Sequence, residues 1–262
     1  MIGRARPGIG SRRNDRRVKL RSAAGRRRDD GLGGRFNGYD LAMESGSGKL
    51  PRCIRLRRPA TLSVMDEPHV PDAPPEKLAE VDRRWEALRR ANPHYYDGRL
   101  YHVLGVHRNG YGGAVAHVAD CAYRYYAVQD EDFDLGVRPL GTKGIIERDG
   151  RYLLGRRSVS VGAYQGQWEF APAGVVEPGR SPVEVILAEL TEETGLTAAR
   201  EPTPIAILFD SVLRCWEIIF RIGVAEPEGE PTTDEYDELR WCAVDGLPAA
   251  LTPVARQVVA LL

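Results

Sequence analysis

Residues 174–196 read GVVEPGRSPVEVILAELTEETGL, and this stretch decides how the rest of the chain is interpreted. Ser181 is followed by Pro182 and, three positions after the serine, by Glu184. This is the form of a helix start with an N-cap, a proline in the first turn and a capping-box glutamate. The pattern predicts a helix that begins at about Pro182 and ends at Thr194, with the following glycine as its C-cap.

Apolar and acidic residues both recur at helical spacing in this segment. Four apolar residues predict a buried stripe: Val183, Ile186, Leu187 and Leu190. Glu189, Glu192 and Glu193 stand at positions i, i+3 and i+4, which places three carboxylates on one side of the helix. A solvated helix face is one interpretation of such glutamates. The other is a divalent-cation site, because carboxylate oxygens suit Mg²⁺ or Mn²⁺ and a cation removes the repulsion between like charges.

The surrounding residues favour the second interpretation, because the stretch resembles the Nudix box. That box consists of Gly, five residues, Glu, seven residues, Arg-Glu, an aliphatic residue, any residue, Glu-Glu, any residue, Gly and an aliphatic residue. Seven of its nine fixed positions match with the spacing intact: Gly174, Glu189, Leu190, Glu192, Glu193, Gly195 and Leu196. The segments 153–158, 168–174 and 235–241 also resemble the flanking strands and loops of the family. The resemblance covers about residues 137 to 250.

The resemblance implies a fold and an activity. The expected fold is mixed α+β (α/β): an α/β/α sandwich around a mixed sheet, here with a small N-terminal extension. The expected activity is the hydrolysis, with Mg²⁺ or Mn²⁺, of a diphosphate bond in a nucleoside diphosphate derivative.

The resemblance also implies roles for individual residues. The metal would be held by Glu192 and Glu193, with the Gly174 carbonyl nearby and Glu189 as a further ligand or as the base that deprotonates water. Glu235 and Glu238 are alternative bases. Arg156 and Arg157 are candidate phosphate-binding residues, or else an ordinary charged strand end.

Two positions of the box depart from the family pattern. Arg180 stands where the first glutamate belongs, and Ala188 stands where the arginine belongs. Ala188 removes a group that helps to position the following glutamate. Arg180 removes a carboxylate, for which Glu177 is a partial substitute, and its positive charge would either lower metal affinity or hold a substrate phosphate.

The substrate class is suggested by a second, shorter resemblance. Residues 85–99 are similar to the segment ahead of the Nudix domain in UDP-sugar pyrophosphatases, so an NDP-sugar is the expected substrate. Tyr96 or Tyr164 would then stack on the base, unless they pack in the core. The altered box also permits a noncatalytic Nudix-like module that binds a nucleotide or regulates a partner. Prenyl diphosphate isomerisation ranks last, since its catalytic Cys and Glu have no evident counterparts.

The charge of the chain is unevenly distributed. The chain has 37 basic residues (Lys and Arg) and 37 acidic residues (Asp and Glu), and residues 1–58 contain 17 of the basic and 5 of the acidic ones. The remainder therefore carries 20 basic and 32 acidic residues. An acidic remainder suits cation binding. Residues 1–75 lack a sustained apolar period and are expected to be a disordered basic arm. This arm is interpreted as an idle tail, as sequence upstream of a true start at Met65, as a transit peptide or as a nucleic-acid contact. A nucleic-acid partner is not expected.

Hydrophobic patterning divides the rest of the chain into two parts. Residues 76–136 are expected to form an N-terminal α+β extension, with a helix over 76–90 and strands over 95–106 and 115–128. Residues 137–262 are expected to form the Nudix domain. Within it, Asp149-Gly150 predicts a hairpin turn. Further predicted elements are strands over 168–173, 205–209, 215–224 and 240–244 and a helix over 253–262.

The chain contains no apolar run long enough to cross a bilayer, and its four cysteines lack CxxC spacing. A cytoplasmic protein without membrane contact is therefore expected. Its partner would be a small nucleoside diphosphate-type molecule. A homodimer is a further expectation, because dimers are common in the family.

Overall fold

The computed structural model describes residues 53–93, 95–159, 163–225, 231, 233 and 235–262. The elements in chain order are β1 (Cys53–Arg55), β2 (Thr61–Val64), α1 (Pro75–Ala91), β3 (Arg99–Arg108), β4 (Ala114–Ala122), α2 (Tyr123–Ala127), β5 (Leu140–Arg148), β6 (Arg151–Arg157), β7 (Trp168–Phe170), β8 (Ala173–Val175), α3 (Pro182–Thr194), β9 (Thr203–Asp210), β10 (Cys215–Ile222), β11 (Tyr236–Ala243) and α4 (Pro253–Val259).

The larger sheet is mixed and lies between two helices. Its strand order is β1-β9-β10-β5-β6-β11, with β8 also paired to β5 and β7 to β6. The β10–β5 pair is parallel, and the other pairs of this sheet are antiparallel. Helix α3 packs one face, where Ile186 and Leu190 join a core with Phe220. Helix α4 packs the other face, where Val254 lies in a core with Ile145. This arrangement confirms the expected α/β/α sandwich.

The hairpin between β5 and β6 forms where the sequence predicts it. Asp149 and Gly150 have φ angles of 52° and 70°, the left-handed values that a two-residue type I′ turn requires. The single strand expected over 168–173 is instead two strands, β7 and β8. Ala171-Pro172, a cis peptide, lies between them, and Pro172 has no N–H to donate to a strand ladder. This break turns the chain from β6 to β5.

The N-terminal part forms a second sheet, ordered β2-β4-β3, beside helix α1. The expected strand over 115–128 ends at Ala122, and Tyr123–Ala127 is helix α2. The N–H of Arg124 donates to the Asp97 carboxylate at 2.9 Å, which satisfies a donor in the first turn of α2. The Trp85 ring packs edge-on against Tyr123 at 6.2 Å between centroids. Packing against α1 has thus overridden the strand preference of the tyrosine-rich segment.

The prediction that residues 1–75 are a disordered arm is wrong for the last part of this range. Strand β1 pairs with β9 of the large sheet, and β2 pairs with β4. Ile54 and Leu56 are 6% and 7% exposed, so these two apolar side chains among the arginines are part of the core. Residues 1–52 lie outside the described residues. Residues 53–75 therefore belong to the folded part of the chain, and one strand of the large sheet comes from the N-terminal side of the extension.

Within the described ranges, no helix is both long and apolar enough to cross a membrane.

Candidate active site on helix α3

Helix α3 is fixed at both ends by local hydrogen bonds. The Glu184 N–H donates to the Ser181 hydroxyl and the Ser181 N–H donates to the Glu184 carboxylate, at 3.2 and 2.7 Å, which completes the predicted capping box. Gly195 has φ 68° and its N–H donates to the Thr191 carbonyl at 3.0 Å, as predicted for a C-cap. The glutamates of the last two turns are therefore carried by a well-defined helix.

The buried face of α3 differs slightly from the predicted stripe. Ile186 and Leu190 are fully buried, but Val185 is buried in place of Val183 and Leu187, which are partly exposed. This rotation brings Glu189 and Glu193 toward the sheet and leaves Glu192 exposed.

Glu189 packs against Gly174 of β8. A Cβ added at Gly174 would lie 2.5 Å from Glu189 Cγ and 2.7 Å from Glu189 Oε1. Such distances are far below van der Waals contact, so only glycine leaves room for this side chain. The Gly174 carbonyl accepts a hydrogen bond of 3.3 Å from the Thr142 hydroxyl. Gly174 and Glu189, two of the expected metal-site residues, are thus brought together.

Glu193 is partly buried and receives two hydrogen bonds on one oxygen. The Ala173 N–H donates to Oε2 at 3.0 Å, and the Tyr236 hydroxyl donates to the same atom at 3.1 Å. Burial raises the pKa of Glu193 well above its usual range, and the negative charge of Glu189 adds to the effect. Glu235 contributes in the same direction, so it lies within electrostatic range of Glu193. A bound cation would offset the repulsion between these negative charges.

The glutamates do not form a closed cage. In the part of the chain that the structure describes, no three His, Cys, Asp or Glu side chains converge closely enough to enclose a metal ion. Glu189 lies near enough to Glu193 for its negative charge to raise the pKa of Glu193. Glu192 is exposed on the outer side of the same helical turn.

Beside Glu193 lies a buried ion network that the sequence pattern did not predict. Lys143 of β5 donates to Glu169 Oε2 at 2.6 Å, and Arg157 donates to Glu169 Oε1 at 2.5 Å. The Lys143 and Glu169 side chains are 3% and 4% exposed. Burial disfavours the charge of Glu169, but attraction by the two cations outweighs it and lowers the pKa of Glu169. A lysine in the middle of a largely buried strand was the signal that could have indicated this network.

The network continues across the same face of the sheet. Glu217 of β10 is buried, and its Oε2 has no hydrogen-bond partner within the described ranges. Burial, partly offset by the Lys143 charge, raises the pKa of Glu217 to about 7. The Tyr164 hydroxyl donates to Asp210 Oδ1 at 2.7 Å. The sequence made Tyr164 a candidate for stacking on the nucleotide base or for core packing. In the structure its hydroxyl is hydrogen-bonded to the buried Asp210 carboxylate.

The candidate phosphate-binding arginines occupy different environments. Arg157 is mostly buried and is held by Glu169 and, through its Nε, by the Ala163 carbonyl at 3.1 Å. Arg156 is 42% exposed, and its Nε lies 3.7 Å from Glu238. Glu238 also accepts from Arg240 at 2.9 Å. Glu238, one of the two alternative bases, is therefore engaged in surface ion pairs.

Of the two departures from the box, Arg180 precedes α3 and Ala188 lies within it. Arg180 donates to the Glu184 carbonyl at 3.2 Å and lies 3.9 Å from the Glu177 carboxylate. Glu177 is therefore paired with Arg180 near the start of the helix. Arg180 is therefore far from Glu193, because Glu184 and Glu193 are separated by about 13.5 Å along the helix axis at a rise of 1.5 Å per residue. Ala188 carries only a methyl group, and the last turn of α3 contains no basic residue.

Comparison with known proteins identifies the region that carries this site. Residues 139–262 match the model of the NUDIX domain. No curated protein matches the chain. Among solved structures, a MutT NUDIX hydrolase from Burkholderia pseudomallei is 26% identical over 48% of this chain and 98% of its own, with a TM-score of 0.41. The E. coli ORF135 protein is 27% identical over 47% and 87%, with a TM-score of 0.37. The MutT protein from Methanosarcina mazei Go1 is 23% identical over 47% and 89%, with a TM-score of 0.38.

Proposed function

Through residues 139–262 the chain belongs to the Nudix hydrolase superfamily, and from this premise we propose that it cleaves the diphosphate bond of an NDP-sugar with Mg²⁺ or Mn²⁺ at the glutamates of α3. The family acts on nucleoside diphosphate derivatives, and this chain is a pyrophosphohydrolase of that kind. The observation that carries the proposal is the placement of Glu189 and Glu193 against β8 at Gly174 and Ala173.

The residues present fit a hard divalent cation. Glu189, Glu192 and Glu193 offer carboxylate oxygens, and the Gly174 carbonyl lies in the strand beside Glu189. The raised pKa of Glu193 reflects burial and crowding by negative charge, which a cation offsets. Mg²⁺ commonly uses one or two carboxylates together with waters and substrate phosphates. A site without a closed cage of side chains therefore suits it.

The chemistry assigns separate roles to the chain's own groups. When bound, the cation would supply charge stabilisation at the phosphoryl oxygens and an activated water. Glu189 or Glu235 would accept the proton of the attacking water. Glu235 is supported by its electrostatic effect on both Glu193 and Arg157. Attack on one phosphorus of an NDP-sugar gives a nucleoside monophosphate and a sugar 1-phosphate.

The arginines of β6 would act on the substrate in different ways. Arg156 is 42% exposed, and its ion pair with Glu238 at 3.7 Å is longer than a hydrogen bond, so its guanidinium can turn toward a phosphate at little cost. Arg157 is fixed by Glu169, and it supplies a positive charge close to Glu235 without rearranging. Arg156 is therefore the better candidate for direct phosphate contact.

The proposal is tested by incubating the full chain with Mg²⁺ or Mn²⁺ and a set of NDP-sugars, dinucleotides and nucleoside triphosphates. Products are separated by anion-exchange chromatography, and parallel reactions contain EDTA. Metal-dependent release of a nucleoside monophosphate from an NDP-sugar supports the proposal. Cleavage of triphosphates or dinucleotides alone would refute the substrate while leaving the family activity intact.

A noncatalytic nucleotide-binding module is the second candidate. It is favoured by Ala188 and by Arg180, which pairs with Glu177 near the start of α3 instead of supplying the box carboxylate. Nucleotide binding measured by calorimetry, without product formation from any substrate in the set, would select this function. Metal-dependent turnover of any substrate in the set would reject it.

A further inference from the structure

The orientation of Glu193 depends on donors that lie outside its own helix. The last turn of α3 has no basic residue, and Ala188 has no polar group. Among the described residues, the two hydrogen bonds that reach Glu193 come from the backbone of Ala173 and from the side chain of Tyr236. Both end on Oε2, so neither occupies Oε1. A carboxylate held by one oxygen in this way keeps its other oxygen in a fixed direction.

Tyr236 is itself held firmly. It is 7% exposed, and a Cβ added at Gly155 would lie 2.5 Å from its Cδ1 atom, so the ring lies flat against the backbone of β6. The Tyr236 N–H donates to the Thr233 hydroxyl at 3.1 Å. Since β11 pairs with β6 through Tyr236 and Arg157, the hydroxyl is fixed relative to the large sheet.

From these contacts we infer that Tyr236 is the positioning residue for Glu193: its hydroxyl holds the Glu193 carboxylate in the orientation that binds the divalent cation. The inference rests on the proposed function, because it assumes that Glu193 is a metal ligand. It assigns Tyr236 no contact with substrate. The last turn of α3 has no basic residue, and the Tyr236 hydroxyl on β11 supplies a donor to Glu193.

The test is Mn²⁺ binding to the full chain without substrate, followed by electron paramagnetic resonance of free Mn²⁺. Tyr236→Phe keeps the ring against Gly155 and removes only the hydroxyl. Loss of a hydrogen bond to a charged group predicts about tenfold weaker Mn²⁺ binding, with a melting temperature lowered by no more than a few degrees. Under saturating metal, kcat should fall while KM for the nucleotide substrate stays within about twofold. Tyr152→Phe is the matched control, because Tyr152 is also a buried tyrosine of this domain and should bind Mn²⁺ as the wild type does.

Glu193→Gln separates failure of this inference from failure of the proposed function. If Glu193→Gln weakens Mn²⁺ binding and Tyr236→Phe does not, Tyr236 has no positioning role and the metal site stands. If Glu193→Gln binds Mn²⁺ like the wild type, Glu193 is not a ligand, and both the proposed site and the inference are overturned. Equal loss in Tyr152→Phe and Tyr236→Phe would also overturn it, since the effect would then be one of packing.

Discussion

Glu189 occupies the space in front of Gly174 that any side chain at that position would need. Gly174 has no positive φ angle, so alanine is compatible with its backbone and the clash with Glu189 is the main consequence. We predict that Gly174→Ala displaces the Glu189 carboxylate and lowers kcat by about 100-fold, the order seen when a reacting group moves by about 1 Å. Stability should fall much less.

The measurement is steady-state hydrolysis together with thermal unfolding. Gly246→Ala is the control, because a Cβ there meets no atom within 4 Å. A Gly174→Ala protein with the activity of Gly246→Ala would show that the Glu189 position does not matter for catalysis.

Glu169 should be essential for stability, because it neutralises Lys143 and Arg157 in the interior. Glu169→Gln removes the carboxylate that forms ion pairs with the buried Lys143 ammonium and with Arg157. Breaking a buried pair in this way typically costs about 3–5 kcal/mol of unfolding free energy. Urea denaturation measures the loss. The exposed pair of Glu86 and Arg90 provides the control, since both side chains are at least 70% exposed and Glu86→Gln should cost less than about 1 kcal/mol. Equal effects of the two substitutions would contradict a buried ion network.

Glu217 should make stability depend on pH in a defined window. Its folded pKa of about 7 lies above the unfolded value of 4.5, so the folded state holds the proton more tightly. Its contribution is therefore full below about pH 4.5, is lost as pH rises toward 7 and changes no further above that. The groups that face Glu217 from neighbouring strands are Lys143, Glu169, Asp210 and Arg157.

The difference in unfolding free energy between wild type and Glu217→Gln isolates this effect. From pH 4.5 to 7.5 the wild type should lose on the order of 3 kcal/mol relative to the variant. Urea denaturation at several pH values measures it. Parallel pH profiles for the two proteins would mean that Glu217 is ionised normally in the folded state.

Strand β1 should be required for a stable large sheet. A protein that begins at residue 57 keeps β2 but lacks Ile54 and Leu56, each worth roughly 1.5–3 kcal/mol when buried. It also exposes the edge of β9. We predict a loss of about 3–6 kcal/mol relative to a protein that begins at residue 53, measured by urea denaturation. Equal stability of the two truncated proteins would show that β1 contributes nothing to the core.

Local signals in the sequence were sufficient to predict α3 and the β5–β6 hairpin. Ser181, Glu184 and Gly195 act within a few residues of themselves, as do Asp149 and Gly150. Capping and turn formation need no information about the rest of the fold. The helix bounds and the turn were therefore predicted correctly.

Features that depend on distant partners could not be predicted in the same way. Strand β1 is a short segment among arginines, and its partner β9 lies 150 residues later. Helix α2 forms because Tyr123 packs on Trp85, although its residues favour a strand. The Tyr236 contact with Glu193 joins residues 43 positions apart. The spacing of the glutamates identified the candidate site. The groups that form hydrogen bonds with them or shift their pKa are distant in the sequence, so only the three-dimensional structure shows them.

The most direct test of the central claim compares the full chain with Glu193→Gln on the substrate found to be cleaved. We predict that the wild type requires Mg²⁺ or Mn²⁺ and that Glu193→Gln lowers kcat by at least about 100-fold, as expected when charge stabilisation at the reacting phosphoryl group is lost. Glu147→Gln, which changes an exposed glutamate of β5, should retain full activity. Wild-type turnover by Glu193→Gln, or turnover undiminished by EDTA, would contradict a metal-dependent hydrolase centred on α3.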